Sequence, residues 1–367
     1  MMGKEGASLL VRALKNPAFA GNMDLCQWDV LVRQARVSRL LGSLAFGLND
    51  AGVLSRVPIE PRRHLQWAFR VSQAYHAELE WELSCIEKAL GRLGTQVVLL
   101  KGAAYHVAGL RASAGRVFSD VDILVDRDCL GDVEAALMLR GWANSHHDPY
   151  DQRYYREWMH ELPPMQHIER GTTLDLHHSI LPPTARLKTS PQRLIEASMA
   201  VEGRYFRVLK PEDMFLHSAT HLFFSEGEMT HGCRDLWDLY RMAEEFGHDD
   251  FWERLQSRAK ELGLTEPLVL AIHFLDDLLE ASLPENLVAW AKARFPRGLR
   301  GVLLRSCLRS GLIVRDSYEK ALGETMREWF LIVRGHQEKM PAPLLMKHLS
   351  RKAWYGVFPK DPAARRR

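Results

Sequence analysis

Residues Val97 to Val125 read VVLLKGAAYHVAGLRASAGRVFSDVDILV, and the reading of the fold turns on Asp120-Val121-Asp122 near the end of this run. Ile123, Leu124 and Val125 continue it as an aliphatic stretch suited to a buried strand. Residues two apart in a strand point to one side, so Asp120 and Asp122 converge on a single face. Two carboxylates held that close repel each other unless a cation lies between them. Hard divalent ions such as Mg²⁺ take oxygen ligands of this kind. A D-x-D by itself occurs by chance in many chains, so its surroundings decide its weight.

Upstream, Val97 to Leu100 form a short apolar run followed at once by Lys101-Gly102, and Ala103 to Val107 are helix material. The unit reads strand, tight turn, helix. Such a turn presents backbone N–H groups to an anion. Gly102 allows close backbone approach, and Lys101 adds a point charge. A phosphate pocket facing a two-carboxylate metal site suits transfer of a nucleotidyl or phosphoryl group.

The run L-K-G, then Arg116, then D-x-D followed by Ile123, Leu124 and Val125, resembles the uncharacterised nucleotidyltransferase family of the DNA-polymerase-β-like superfamily. The superfamily usually has Gly-Ser before the helix. Here Lys101-Gly102 stands in that place, which agrees with the narrower family. The resemblance spans roughly residues 25–330, and its specific part is confined to Leu99–Val125 and Leu174–His177. It implies an α+β fold: a small mixed nucleotidyltransferase-type sheet with helices, flanked by helical N- and C-terminal regions. The expected division is a helical region at 1–95, the nucleotidyltransferase core at 96–190 and a helical region at 191–367.

Composition agrees with a globular chain. Of 367 residues, 46% are hydrophobic and 26% charged. The five cysteines, Cys26, Cys85, Cys129, Cys233 and Cys307, are scattered without a C-x-x-C, so neither a disulfide framework nor a zinc ribbon is expected. No apolar window reaches the length of a membrane span, and the expected location is cytoplasmic. The net charge of +3 is unevenly spread, with 16 Lys or Arg against 6 Asp or Glu from Arg297 to Arg367. That region suits either solvated helix faces or an anionic partner such as RNA.

In the N-terminal region, Trp28, Leu31, Val32, Ala35, Val37, Leu40 and Leu41 follow helical spacing, and a long helix is predicted from about His64 to Leu93. After the D-x-D strand, Asp126 or Asp128 is expected to cap a helix over Leu130–Leu139. Ala143–Glu161 reads as an irregular crossing. Met165–Glu169 and Thr172–His177 flank Arg170-Gly171 as a hairpin, with Asp175 and His177 on one face. The superfamily carries its third carboxylate here, and L-D-L-H looks like the family's acid-x-His strand, so the resemblance makes Asp175 the third acid. From Pro191 onward helices are expected. His217 and His221, four apart on one of them, have metal-ligand spacing but lack an H-E-x-x-H context. Arg234 to Asp238 resembles the family's R-x-x-x-D helix, which implies a structural or site-facing role for Asp238; an Arg234–Asp238 pair on a solvated face is the alternative.

The expected site is therefore Asp120, Asp122 and Asp175 as catalytic and metal-binding acids, with Lys101, Gly102, Arg116 and Ser119 binding the nucleotide and His177 and Asp238 as further members. Mg²⁺ or Mn²⁺ is the expected cofactor and an NTP, ATP among them, the substrate. The acceptor, whether small molecule, RNA or protein, and the oligomeric state are open. Two competitors stand beside this reading. One is a catalytically silent nucleotide-binding or scaffold protein of the same fold. The other is a metal-dependent hydrolase built on His146, His147, His160, His167, His177 and His178, whose spacing matches no ligand pattern.

Overall fold

The computed structural model describes residues 8–144, 149–224, 229–316, 322–341, 343 and 345–346. Its centre is a seven-stranded mixed sheet with helices around it. The strands are β1 (Val98–Leu99), β2 (Asp120–Leu124), β3 (Trp142–Asn144), β4 (Met165–His167), β5 (Thr173–His177), β6 (Met199–Ala200) and β7 (Arg207–Val208), arranged in the order β3-β4-β5-β2-β1-β7-β6. β2 lies in the middle, parallel to β5 and antiparallel to β1. Its last four residues are buried, as a central strand covered on both faces requires. The α+β architecture with flanking helical regions expected from the sequence is the one observed.

The helix Ile59–Leu90 buries a stripe that includes Leu65, Ala68, Leu79, Leu83, Ile86 and Leu90, positions spaced by about whole turns. It starts earlier than the hydrophobic pattern predicts because Pro61 falls in the first turn, where its missing N–H leaves no helical bond unmade. This helix packs on Leu130–Met138. Neither Asp126 nor Asp128 caps that helix, whose N-cap is Cys129 without a side-chain bond; Asp126 instead caps the short 3-10 turn Arg127–Cys129, its carboxylate accepting from the Asp128 N–H at 2.9 Å.

Three local readings are corrected. The stretch after Trp142 is not an irregular crossing: it contains β3 and the helix Pro149–Trp158, which starts with a proline and reaches across to Glu134 through a forked pair from Arg156 at 2.6 and 2.9 Å. The hairpin between β4 and β5 has a five-residue connection rather than a two-residue turn, with Gly171 at φ +70°. The return to helices after Pro191 is interrupted by β6 and β7, two-residue strands too short to show an alternating pattern, and β7 extends the sheet along β1.

The helix Pro211–Phe224 is buried nearly all round, so it forms the centre of the helical region rather than a surface element. It packs against Gly232–Phe246, Phe251–Glu261 and Thr265–Leu279 on one side and against the Lys101–Val107 helix on the other. Among the described residues, no helix is long and apolar enough to cross a membrane.

Candidate functional site

The parallel pairing of β2 with β5 builds the site. Asp122 lies directly beside Asp175, and Leu124 beside His177. In-register residues of neighbouring parallel strands face the same way, so Asp120, Asp122, Asp175 and His177 share one face of the sheet. The residues singled out from sequence, 53 positions apart in the chain, are thereby brought together.

Asp122 is almost fully buried and its Oδ1 accepts two bonds, from Lys101 Nζ at 2.7 Å and from His177 Nε2 at 3.0 Å. Burial alone would push this carboxyl up, but Lys101 and His177 together hold it well below the usual carboxylate range. Burial works against the Lys101 charge too, and Asp122 overrides it and raises the ammonium. Asp175 has no such partner. Burial first, then the negative charge of Asp122, push it up to about 7, and its Oδ1 is buried without a hydrogen bond. Asp120 is likewise pushed up by burial and by Asp122, although Ser119 Oγ donates to it at 2.9 Å. The acids thus divide into one neutralised by a resident lysine and two whose ionisation is opposed. Such a set is short of positive charge, which is the condition a divalent cation relieves.

Lys101 is thus placed on a carboxylate rather than on open space at the turn. Its backbone is left-handed, at φ +47°, a conformation costing an L-residue roughly 1–2 kcal/mol. The next residue has to be small. A Cβ on Gly102 would lie 3.0 Å from Arg116 Nε and 3.0 Å from the Phe118 ring. Gly102→Ala is therefore expected to destabilise the protein by about 1–3 kcal/mol by pushing Arg116 and Phe118 apart; urea denaturation measures this, and an unchanged midpoint would show that both neighbours yield freely.

Arg116 is ion-paired with Asp238, and both are buried. Burial opposes the Arg116 charge, but Asp238 prevails and raises it. Asp238 is accordingly not on a solvated face, and Arg234 pairs with its neighbour Asp235 at 2.8 Å instead. The Arg116–Asp238 pair joins the loop before β2 to the helix Gly232–Phe246 and braces Gly102 from behind. His217 and His221 lie on the buried Pro211–Phe224 helix, where burial pushes both imidazoles down.

Sequence reasoning named His160 and His177 only within a rival histidine set and missed both Glu161 and the group the three form. Among the described residues, the group of three potential ligands with all ligand atoms within 4.8 Å of one another is His160, Glu161 and His177. The segment carrying His160 and Glu161 is bridged to the end of β5, at Glu161 and His177. Of the other histidines considered, His167 contacts the Arg140 carbonyl at 3.1 Å and sits against Trp142, while His146 and His147 lie outside the described residues. Adjacent His and Glu residues give no periodic signal, so only the pairing with β5 reveals the group.

A cavity of about 380 Å³ opens at the N-terminal ends of β2 and β5, lined among others by Ser119, Asp120, Thr173, Tyr75, Arg39 and Arg170. Its size is in the range of small-molecule sites. The long helix Ile59–Leu90 supplies Tyr75 to its wall; of the expected site residues, Ser119 and Asp120 line this cavity and Asp122, Asp175 and Lys101 do not.

No curated protein matches this chain. A crystal structure of an antigenic nucleotidyltransferase-like protein from Paracoccidioides brasiliensis is similar over 58% of this chain and 96% of its own, at 14% identity and a TM-score of 0.30. The family described as uncharacterised nucleotidyltransferase matches residues 24–280. With well over half of its length matched, and with the acids of β2 and β5 inside that span, the chain belongs to this uncharacterised nucleotidyltransferase family.

Proposed function

We propose that the protein transfers a nucleoside monophosphate from an NTP to a hydroxyl acceptor, with pyrophosphate leaving. The observation that carries this reading is the in-register placement of Asp122 and Asp175 on one sheet face with Asp120, beside a ligand-sized cavity. Asp120, Asp122 and Asp175 would hold Mg²⁺ or Mn²⁺, and the orphaned Asp175 Oδ1 together with the raised Asp120 and Asp175 fits such a set. The ion, when bound, offsets charge on the phosphate oxygens. Asp175 would take or orient the acceptor's proton as the acceptor oxygen bonds to the α-phosphorus and the bond to pyrophosphate breaks. Lys101 keeps Asp122 ionised and in place. Ser119 orients Asp120, and Gly102 and Arg116 shape the turn beneath them. The acceptor is a small molecule, an RNA or a protein side chain.

A second reading draws on the Lys101–Asp122 contact. A lysine already seated on the central acid is compatible with a protein that binds a nucleotide without turning it over. Calorimetric titration with each of the four NTPs, in Mg²⁺ and in EDTA, tests both, with α-labelled transfer onto fractionated extract as the second arm. Metal-dependent binding with transfer supports the enzyme, binding without transfer supports the silent protein, and no binding removes both.

The raised Asp175 gives a signed pH dependence. Between the ordinary aspartate value of about 3.9 and about 7, the folded protein keeps a proton that the unfolded chain has lost. The stability this group contributes is therefore present at low pH and declines as pH rises through that window. Mg²⁺ binding displaces the same proton, so Mg²⁺ affinity is expected to rise with pH, by up to about tenfold per unit, and to level off above about pH 7. Titrations of the full chain at pH 6 and pH 8 measure this, and equal affinities would show that Asp175 is no ligand.

A further inference from the structure

We propose that His160, Glu161 and His177 form a second divalent-metal site, of zinc type, built from two imidazole nitrogens and one carboxylate oxygen. It stands beside the aspartates and is joined to them through Asp122. The proposal does not depend on nucleotidyl transfer, since its residues are assembled by the backbone alone.

That assembly comes first. Past Trp158 the chain runs alongside β5. Leu162 N–H donates to the Leu176 carbonyl at 2.9 Å, and His178 N–H donates to the His160 carbonyl at 2.9 Å. Glu161 is thereby bridged to His177, and the two imidazoles lie with ring centroids 5.4 Å apart. Three potential ligands are thus held by main-chain bonds, without needing an ion to gather them.

The distances suit a small ion. His177 Nδ1 is 3.3 Å from Glu161 Oε2, and His160 Nε2 is 3.8 Å from the same oxygen. Ligands bonded at about 2.0–2.2 Å around a tetrahedral ion are separated by roughly 3.3–3.5 Å. The group as a whole spans up to 4.8 Å, so the two rings must close by up to roughly 1.5 Å around an ion.

The orientation of His177 adds an independent argument. Its side chain is about 2% exposed, and its Nε2 faces Asp122 Oδ1, which Lys101 keeps ionised. Nε2 therefore carries the proton and donates it. Nδ1, buried and with no hydrogen-bond partner, is left pointing at a carboxylate oxygen. A lone pair facing a carboxylate is repulsive, so a positive species belongs between them, either a second ring proton or a metal ion. The third side chain distinguishes the two: a proton on Nδ1 satisfies the His177–Glu161 contact alone, whereas an ion also engages His160, whose Nε2 lies 3.8 Å from the same carboxylate oxygen. A histidine that binds a metal with one nitrogen and donates to a carboxylate with the other is the usual way such rings are oriented. Here that carboxylate is Asp122. Two imidazoles and one carboxylate form a three-ligand set that leaves a fourth position open, and the partial exposure of His160 and Glu161 provides access to it.

Titration of the chelator-stripped full chain with Co²⁺, followed by visible absorption, tests the site directly. The expected result is an intense four-coordinate Co²⁺ spectrum that Zn²⁺ displaces. His160→Gln and Glu161→Gln are expected to weaken binding at least about 100-fold, whereas Asp120→Asn retains the spectrum. Co²⁺ binding that survives both His160→Gln and Glu161→Gln but is lost in Asp120→Asn would place the ion among the aspartates and overturn the proposal. So would the absence of any such spectrum in the wild type. Because one variant could fail to fold, Zn²⁺ anomalous scattering from wild-type crystals gives a readout without substitution. A peak within bonding distance of all three side chains supports the site, and no peak there overturns it.

Discussion

Asp120→Asn is expected to abolish metal-dependent transfer while leaving the metal-free protein as stable as the wild type or more so. The two effects have one cause. Asp120 is pushed up by burial and by Asp122, so its charge is a cost that the folded state bears until a cation arrives. Asparagine keeps the shape and an oxygen for the Ser119 hydroxyl and removes that cost, worth up to about 1 kcal/mol and a rise in Tm of about 2 °C for a chain of this size. The same change removes an anionic ligand, which should lower the transfer rate by at least about 10²–10³-fold. Thermal unfolding in EDTA, set beside transfer of α-labelled nucleotide in Mg²⁺, reads both. A variant that loses stability and keeps its activity would show that Asp120 has only a structural part.

Asp122→Ala is expected to act in the opposite direction on stability, with a loss of about 3–5 kcal/mol. Lys101 and His177 both direct a nitrogen at the same oxygen, and Asp122 is about 3% exposed. Removing the acid leaves a partly buried ammonium without its hydrogen-bonded counter-charge and an imidazole N–H without an acceptor. The double variant Lys101→Met/Asp122→Ala should recover part of the loss, because it removes the stranded charge as well. Urea denaturation of the four members of this cycle gives the coupling energy directly. If the single variant matches the wild type, the Lys101–Asp122 contact does not form in solution.

Much of this site could be read from the chain, for a physical reason. Asp120 and Asp122 announce themselves because a strand has a period of two, and charged residues at the head of an aliphatic run stand out against it. Asp175 and His177 are visible in the same way. Local alternation says which side chains share a face of one strand, but not which strands are neighbours. That Asp175 joins the acids of β2 came from the family resemblance, and the pairing of β2 with β5 in the register Asp122 to Asp175 came only with the structure. The Arg116–Asp238 pair was out of reach because its partners, 122 residues apart, meet through the packing of a helix against a loop. Arg234, four residues before Asp238 on one helix, was the natural local partner and proved to be held by Asp235. β6 and β7 escaped notice because two residues cannot show a period. Glu161, and the grouping of His160 with His177, escaped because a bridge to a strand end leaves no trace in spacing.

The position of Lys101 sets a threshold for the ion. An incoming divalent cation meets a competitor that never diffuses away, tethered at an effective concentration fixed by the fold and already 2.7 Å from the central carboxylate. A bare ion must share that oxygen or use the other one, so by itself it is held weakly. A cation arriving as the complex of a triphosphate brings negative charge with it, and the ammonium can turn from the carboxylate toward the phosphate without being left unpaired. On the proposed reading, the lysine would therefore favour joint entry of metal and nucleotide over entry of the bare ion.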